Sequence, residues 1–256
     1  MPFTPGVSSA ASRGRLFVVT GQALHVLRDP VRIPEGEAGD ALYLGDLDGV
    51  PCFARADAPP PDAEAVPLRQ LFGTLTDDEF GVAGRALGLT AWDRDHRHCG
   101  RCGAATERST IERVRTCIRC GHPSYPRLSP AVIVLVEREG RALLARNART
   151  QMPFFSTLAG FVEVGETLEQ AVAREIHEES GIELADIRYF GSQPWPFSGS
   201  LMVGFTARWA AGELVPDPTE IADAAWFAPD ELPTIPPRLS IARELIDDFV
   251  RRTLVR

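Results

Sequence analysis

Residues 160–182 of this chain read GFVEVGETLEQAVAREIHEESGI, with Glu166 followed by Arg174, Glu175, Glu178 and Glu179. Carboxylates at that density repel one another unless something cationic sits among them. Thr167 and Gln170 form a capping box that predicts a helix start at about 168. Gly181 stands where a left-handed C-terminal cap belongs. At about 100° per residue, Leu168, Ala171, Val172 and Ile176 share one arc. Glu175 and Glu179 fall inside that arc, with Glu178 at its edge. The inward face therefore starts apolar and ends acidic. Burying unpaired carboxylates costs several kcal/mol or raises their pKa. Divalent metals resolve both problems, since oxygen ligands suit Mg²⁺ or Mn²⁺. A solvated helix laced with ion pairs, such as Arg174 with Glu178, is the plainer alternative.

A second constellation is built from sulfur. Cys99-x-x-Cys102 and Cys117-x-x-Cys120 are separated by 14 residues. Two such knuckles bring four thiolates to tetrahedral reach, as a structural zinc site requires. With four cysteines filling the site, His96, His98 and His122 are read as bystanders. Cys52 reads as a small buried residue. Seven arginines, at 94, 97, 101, 108, 113, 115 and 119, make this segment locally basic within a chain of net charge −8. The overall acidity argues against a general nucleic-acid binder, but the local excess could guide the first nucleotides of an RNA. There is no lysine, so arginine carries every basic role.

The elements that must position these groups follow from pattern. At 256 residues, 44% of them apolar, the chain has room for two modest domains or one with an appended module. Three segments are expected: a small α+β domain over 1–95, a zinc ribbon over 96–129, and an α/β/α sandwich over 130–256. Strands are expected at 16–21 and within 41–54, the latter a pair turning at Asp48-Gly49. The proline-rich stretch 57–67 reads as a surface loop, and 76–90 as a helix capped by Thr76 and Glu79. Further on, the pattern predicts strands at 131–137, 141–147, 187–192, 201–210 and 224–227, with helices at 168–180 and 240–252. The longest apolar run, AVIVLV at 131–136, is far short of a membrane span, and the N-terminus lacks the pattern of a secretory signal. A cytoplasmic protein is expected.

Gly160, Glu166, Arg174-Glu175-Ile176, Glu178-Glu179 and Gly181-Ile182 match the Nudix box at every defined position. SQPWPFSGSLM at 192–202 resembles the motif of the NADH pyrophosphatase branch of the Nudix hydrolases, which also carries a Cys₄ ribbon ahead of the Nudix domain. The resemblance covers about 96–256 and is looser before that; Ser198-Gly199 depart from it, standing where the branch continues with proline. It implies hydrolysis of the pyrophosphate of NADH or NAD⁺, in a homodimer, and removal of NAD caps from RNA as the same bond in a larger substrate. It further implies Mg²⁺ or Mn²⁺ bound by Glu175, Glu179, Glu220 and the Ala159 carbonyl, with Glu166 and Glu178 in support. Glu179 is the essential carboxylate in this reading, and Glu175 and Glu178 join it as catalytic candidates. Substrate contacts are implied for Tyr125, Gln193, Pro194, Trp195, Pro196, Phe197, Ser198, Gly199, Ser200 and Ala242, with Glu112 and, more weakly, Arg69. The competing reading is a catalytically idle nucleotide sensor or an RNA-binding zinc-ribbon protein.

Overall fold

The apolar run at 131–136 forms the middle of a strand, Ser129–Arg138, in a computed structural model that describes residues 3–149 and 153–254. Its side chains alternate between two cores. Val132, Val134 and Val136 pack with Ala171, Val172 and Ile176 of the helix Leu168–Ser180, here α2. Ile133 and Leu135 pack with Ile241, Leu245 and Phe249 of the helix Ile241–Leu254, here α3. A strand covered on both faces needs apolar residues at every position, which is why it reads as a continuous run rather than an alternation. Each side chain fully buried this way contributes about 1.5–3 kcal/mol.

Around this strand lies a six-stranded sheet between the two helices, an α/β/α sandwich. Ser129–Arg138 pairs in parallel with Ser200–Ala211 and antiparallel with Arg141–Asn147 and Leu158–Phe161. Glu183–Trp195 and Ile221–Phe227 complete the sheet at its edges. The four-residue strand Leu158–Phe161 was not expected: a glycine within four residues leaves no periodicity to read.

These elements belong to one of two compact units, Leu128–Trp195 with Ser200–Arg256; the other comprises Met1–Arg127 with Pro196–Gly199. In the latter, a seven-stranded sheet packs against a helix, α1, Asp77–Asp95. The strands Leu42–Leu47 and Val50–Arg55 turn at Asp48 and Gly49, both with positive φ, 55° and 75°. That is the left-handed pair a two-residue hairpin favours. The Thr76–Glu79 capping box starts α1 as expected, but the helix runs to Asp95 rather than 90. Its last turn is held by tertiary contacts: Trp92 is buried, and buried Asp93 accepts hydrogen bonds from Arg108 and Arg115. The 57–67 loop also needs correction, since Glu64–Pro67 is a strand pairing with Ala23–Val26. Proline at the end of an edge strand costs no ladder hydrogen bond, so prolines obscured it. No helix among the described residues is long and apolar enough to cross a membrane.

Candidate active site and zinc ribbon

Helix α2 begins and ends where its caps predict. The Thr167 hydroxyl accepts from the Gln170 N–H, the Gln170 side chain accepts from Thr167 N–H, and Gly181 closes the helix at φ 74°. The acidic face is organised by one cation. Arg174 donates to both oxygens of Glu166 at 2.6 and 2.8 Å, to Glu175 at 2.9 Å, to Glu178 at 3.0 Å and to the Phe161 carbonyl at 2.9 Å. These hydrogen bonds, with one from the Glu163 N–H, hold Glu166 down to about 2. Glu178, 58% exposed, is the outward member of the set. The ion pair of the plainer reading is therefore present, yet it leaves Glu175 and Glu179 facing inward.

Gly160 leaves room for the Glu175 carboxylate: a Cβ there would lie 1.9 Å from Glu175 Cδ, so any side chain at 160 would displace that carboxylate from its present place. Glu179 is deeper still, 6% exposed, and its Oε2 has no hydrogen-bond partner among the described residues. Burial, then the charges of Glu175, Glu220 and Glu178, push its carboxyl up to about 8. Glu175 is raised as well, mainly by burial, against the pull of Arg174. Glu220 receives a hydrogen bond from Arg149 at 3.0 Å, a partner nothing in the sequence pattern marks. The inner carboxylates thus form a repelling set that a divalent cation would relieve, and Ala159 lines the same cavity as Glu179, about 190 Å³ in volume. Their oxygens are not gathered as tightly as the cysteine sulfurs: among the described residues only the four cysteines place every ligand atom within 4.8 Å of the others.

A raised carboxyl has a consequence for stability. Glu179 keeps its proton in the folded protein up to about pH 8 but releases it near 4.5 when unfolded. Folding therefore takes up a proton in that window, and stability falls as pH rises through it. Protein retaining zinc but freed of Mg²⁺ and Mn²⁺ should melt progressively lower from pH 5 to pH 8. Added Mn²⁺ should restore more stability at pH 8 than at pH 5. A thermal-shift series that is flat in pH, with or without Mn²⁺, would contradict the buried-carboxylate account.

The sulfur cluster fits its metal closely. Cys99 and Cys120 Sγ are 3.7 Å apart, and Cys102 Sγ lies 3.5 Å from both Cys117 and Cys120. A tetrahedron with Zn–S bonds of about 2.3 Å has edges of about 3.8 Å. The two knuckles repeat one local geometry. Gly103 and Gly121, at φ 73° and 68°, donate N–H to the carbonyls of Cys99 and Cys117. These two positions need glycine, because the chain turns back there in the left-handed region. Strands Thr106–Arg108, Arg115–Cys117 and Pro123–Ser124 complete a ribbon that supports structural zinc. His96 is occupied elsewhere, its Nδ1 within 2.8 Å of the Trp92 carbonyl.

The arginine track is thinner than the charge count implies. Arg115 is buried, bonded to Asp93 and Thr106, and Arg108 spends its guanidinium on Asp93 and the Asp40 carbonyl. Burial pushes Asp93 up, but the hydrogen bonds from these two arginines prevail and hold it below the ordinary carboxylate range. Arg113 is half-buried, donating to the Gly6 and Tyr43 carbonyls. These three are structural. Arg97 and Arg101 remain exposed, Arg94 pairs with Asp95, and Arg119 donates to the Cys102 carbonyl.

The implied substrate-contact residues fall into several settings. Trp195 pairs with Ser200 at the end of an antiparallel ladder, leaving Pro196–Gly199 as the turn. Phe197 has the Arg69 guanidinium 4.1 Å from its ring centroid, and Gln22 Nε2 donates to its carbonyl at 2.9 Å. Arg69, weakest of the sequence candidates, is thus brought onto the motif, while Gln22 carried no signal at all. Tyr125 and Glu112 also meet, with the Tyr125 hydroxyl donating at 3.4 Å. Gln193 is different: its amide accepts from the Ile241 N–H and donates to the Leu239 carbonyl, both at 2.9 Å, pinning the start of α3. Pro194 and Ser198 are exposed, and Ser200 is buried. Ala242 is 4% exposed, within the core under α3.

Three family models match in succession: an NADH pyrophosphatase-like rudimentary NUDIX domain over 5–92, an NADH pyrophosphatase zinc ribbon domain over 94–125, and a NUDIX domain over 126–249. The chain is 42% identical to the NAD-capped RNA hydrolase NudC of Deinococcus radiodurans, over 96% of this chain and 91% of that one. It is 47% identical to the protein of the same name from Stutzerimonas stutzeri, over 83% of this chain and 78% of that one. A Pseudomonas aeruginosa protein of that name is 48% identical, over 84% and 74%. Among solved structures, a NUDIX hydrolase from Nitrosomonas europaea shares the fold, with a TM-score of 0.52 and 24% identity over 62% of this chain and 92% of that one. With its box intact on α2, its cysteines gathered and family models matched in succession from 5 to 249, the chain belongs to the NADH pyrophosphatase branch of the Nudix hydrolases.

Proposed function

We propose that this protein hydrolyses the pyrophosphate bond of NADH or NAD⁺, giving AMP and the nicotinamide mononucleotide, and removes NAD caps from RNA 5′ ends by the same cleavage. The observation that carries this reading is Glu179, a buried carboxylate with an unpartnered oxygen on a complete Nudix helix, acted on by Glu175 of the same helix and by Glu220 from outside it. Glu175, Glu179, Glu220 and the Ala159 carbonyl would hold Mg²⁺ or Mn²⁺. Such ions neutralise a diphosphate and lower the pKa of water. Arg174 keeps Glu166, Glu175 and Glu178 oriented, while Glu179 is the ligand and candidate base. Trp195 and Phe197 offer aromatic faces to a base or nicotinamide ring. Tyr125, Glu112, Arg69, the 193–200 motif and Ala242 are the further candidate contacts. Zinc, fully enclosed by cysteines, is structural. The alternative of an idle nucleotide sensor leaves the full ligand set without a purpose.

A paired assay tests the RNA half of the reading. An NAD-capped RNA and free NADH should both be cleaved, the RNA to a 5′-monophosphate. If exposed Arg97 and Arg101 steer the strand, raising salt from about 50 to 200 mM slows decapping more than NADH hydrolysis, because phosphate contacts weaken steeply with salt. Equal slowing of both substrates would remove the ribbon from RNA binding, and an intact cap would remove RNA as a substrate.

A homodimer acting in the cytoplasm completes the proposal, and two-fold dimers are the commonest oligomers. Light scattering at micromolar concentration should give twice the 27.9 kDa chain mass, and a monomer mass would contradict it.

A further inference from the structure

The turn Pro196–Gly199 lies within the dinucleotide motif, yet its contacts come from far along the chain. It belongs to the compact unit of Met1–Arg127, and three elements of that unit meet it. The Gln22 side chain donates from Nε2 to the Phe197 carbonyl at 2.9 Å, across 175 residues of sequence. The Arg69 guanidinium carbon lies 4.1 Å from the Phe197 ring centroid. On α1, Gly84 lets Pro196 come close: a Cβ there would lie 3.1 Å from Pro196 Cγ, tighter than ordinary van der Waals contact. Phe197 itself packs against the core of this unit. These anchors stand on fixed backbone. Gln22 follows Gly21, at φ 59°, in a hairpin turn closed by the pair Thr20 and Ala23. Its carbonyl accepts from the Leu68 N–H at 3.0 Å, which ties it to the 3₁₀ turn Leu68–Leu71 that carries Arg69. Leu68 and Leu71 are buried in the same core. The turn they hold is loose by composition. Gly199 has φ 69°, and glycine loses more conformational freedom on ordering than any other residue. A turn ordered in advance spares its ligand that entropic cost.

We propose that Gln22 is a positioning residue for the substrate: with Gly84 beside Pro196, its hydrogen bond fixes the turn Pro196–Gly199 in the arrangement that receives the dinucleotide. The N-terminal sheet and α1 thereby gain a role that no motif in them announces, the ordering of one turn of the substrate motif. Arg69 shares this role at the Phe197 ring but is also a candidate contact, so Gln22 and Gly84 separate positioning from binding. The kinetic part of this inference rests on the hydrolase reading above; the docking of the turn does not.

The test uses Gln22→Met, which keeps the length and removes the donor, and Gly84→Ala, which adds one crowding methyl. With NADH and Mn²⁺, Gln22→Met should raise KM about fivefold, the worth of one hydrogen bond, with kcat within about twofold. Gly84→Ala should also raise KM while raising Tm by about 2–4 °C, because alanine suits a helix interior better than glycine. A merely structural role would weaken stability and substrate binding together, so opposite signs identify positioning. A 4-fluorophenylalanine placed at 197 alone reads the docking without substrate. Its ¹⁹F resonance should move toward the unfolded-chain value in both variants. Wild-type KM in either variant, or an unmoved resonance in either, overturns the proposal, as does a Gly84→Ala protein that loses Tm and kcat together. A resonance that moves as expected in a protein that leaves NADH intact would instead refute the hydrolase reading while the docked turn stood.

Discussion

Glu179→Gln should lower kcat for NADH hydrolysis by a hundredfold or more, about 3 kcal/mol of transition-state stabilisation, with the fold intact. The substitution keeps the shape of the side chain and removes the charge. In the structure that charge is almost fully buried, with Oε2 unpartnered and Glu175 and Glu220 acting on it. Losing it weakens cation binding and removes the candidate base together. Stability should move the opposite way. A neutral amide relieves repulsion among the carboxylates, so metal-free Glu179→Gln should melt at or above the wild type near pH 8 and lose the pH dependence described above. A variant retaining more than about a tenth of wild-type kcat at saturating Mn²⁺ would show that the essential carboxylate lies elsewhere.

Cys117→Ser should release zinc and cost the protein stability, lowering Tm by about 10 °C, as expected for several kcal/mol in a chain this size. The ribbon has strands of only three, three and two residues, too short to hold their own geometry. Cys117 is 2% exposed and Cys99 4%, so a serine hydroxyl in either place would be a buried polar atom without its metal. The ribbon also carries Arg108 and Arg115, the partners of Asp93 in α1. Loosening it strands a buried carboxylate, and removing one member of a buried pair is costly. Activity should fall with stability. An unchanged melt in Cys117→Ser, with no zinc in the wild type by elemental analysis, would refute the zinc ribbon.

What was legible in the sequence was written in local chemistry. Helix α2 is legible at 168–180 because both of its ends carry capping residues, and the structure has it at Leu168–Ser180. The central strand was legible from its unbroken apolar run, and the knuckles from cysteine spacing alone. What escaped depends on partners distant in sequence. Helix α1 continues past 90 because Asp93 finds arginines 15 and 22 residues away. Arg108, Arg113 and Arg115 read as surface charge in the sequence, because their acceptors, Asp93 and the Tyr43 carbonyl among them, lie far away along the chain. Glu64–Pro67 is a strand because Ala23–Val26 lies beside it, and nothing in a proline-rich stretch announces that. In the candidate site, the box predicts an inward acidic face, while Arg149, which donates to Glu220, has no motif to mark it.

The central claim is that the inner carboxylates of α2 serve the cleavage of a dinucleotide pyrophosphate. Mass spectrometry of the products after incubation of the zinc-loaded protein with NADH and Mn²⁺ tests it most directly. AMP and reduced nicotinamide mononucleotide in equal amounts, absent with Glu179→Gln, are the predicted result. Intact NADH after prolonged incubation with folded wild-type protein, or products cleaved at any bond other than the pyrophosphate, would contradict it.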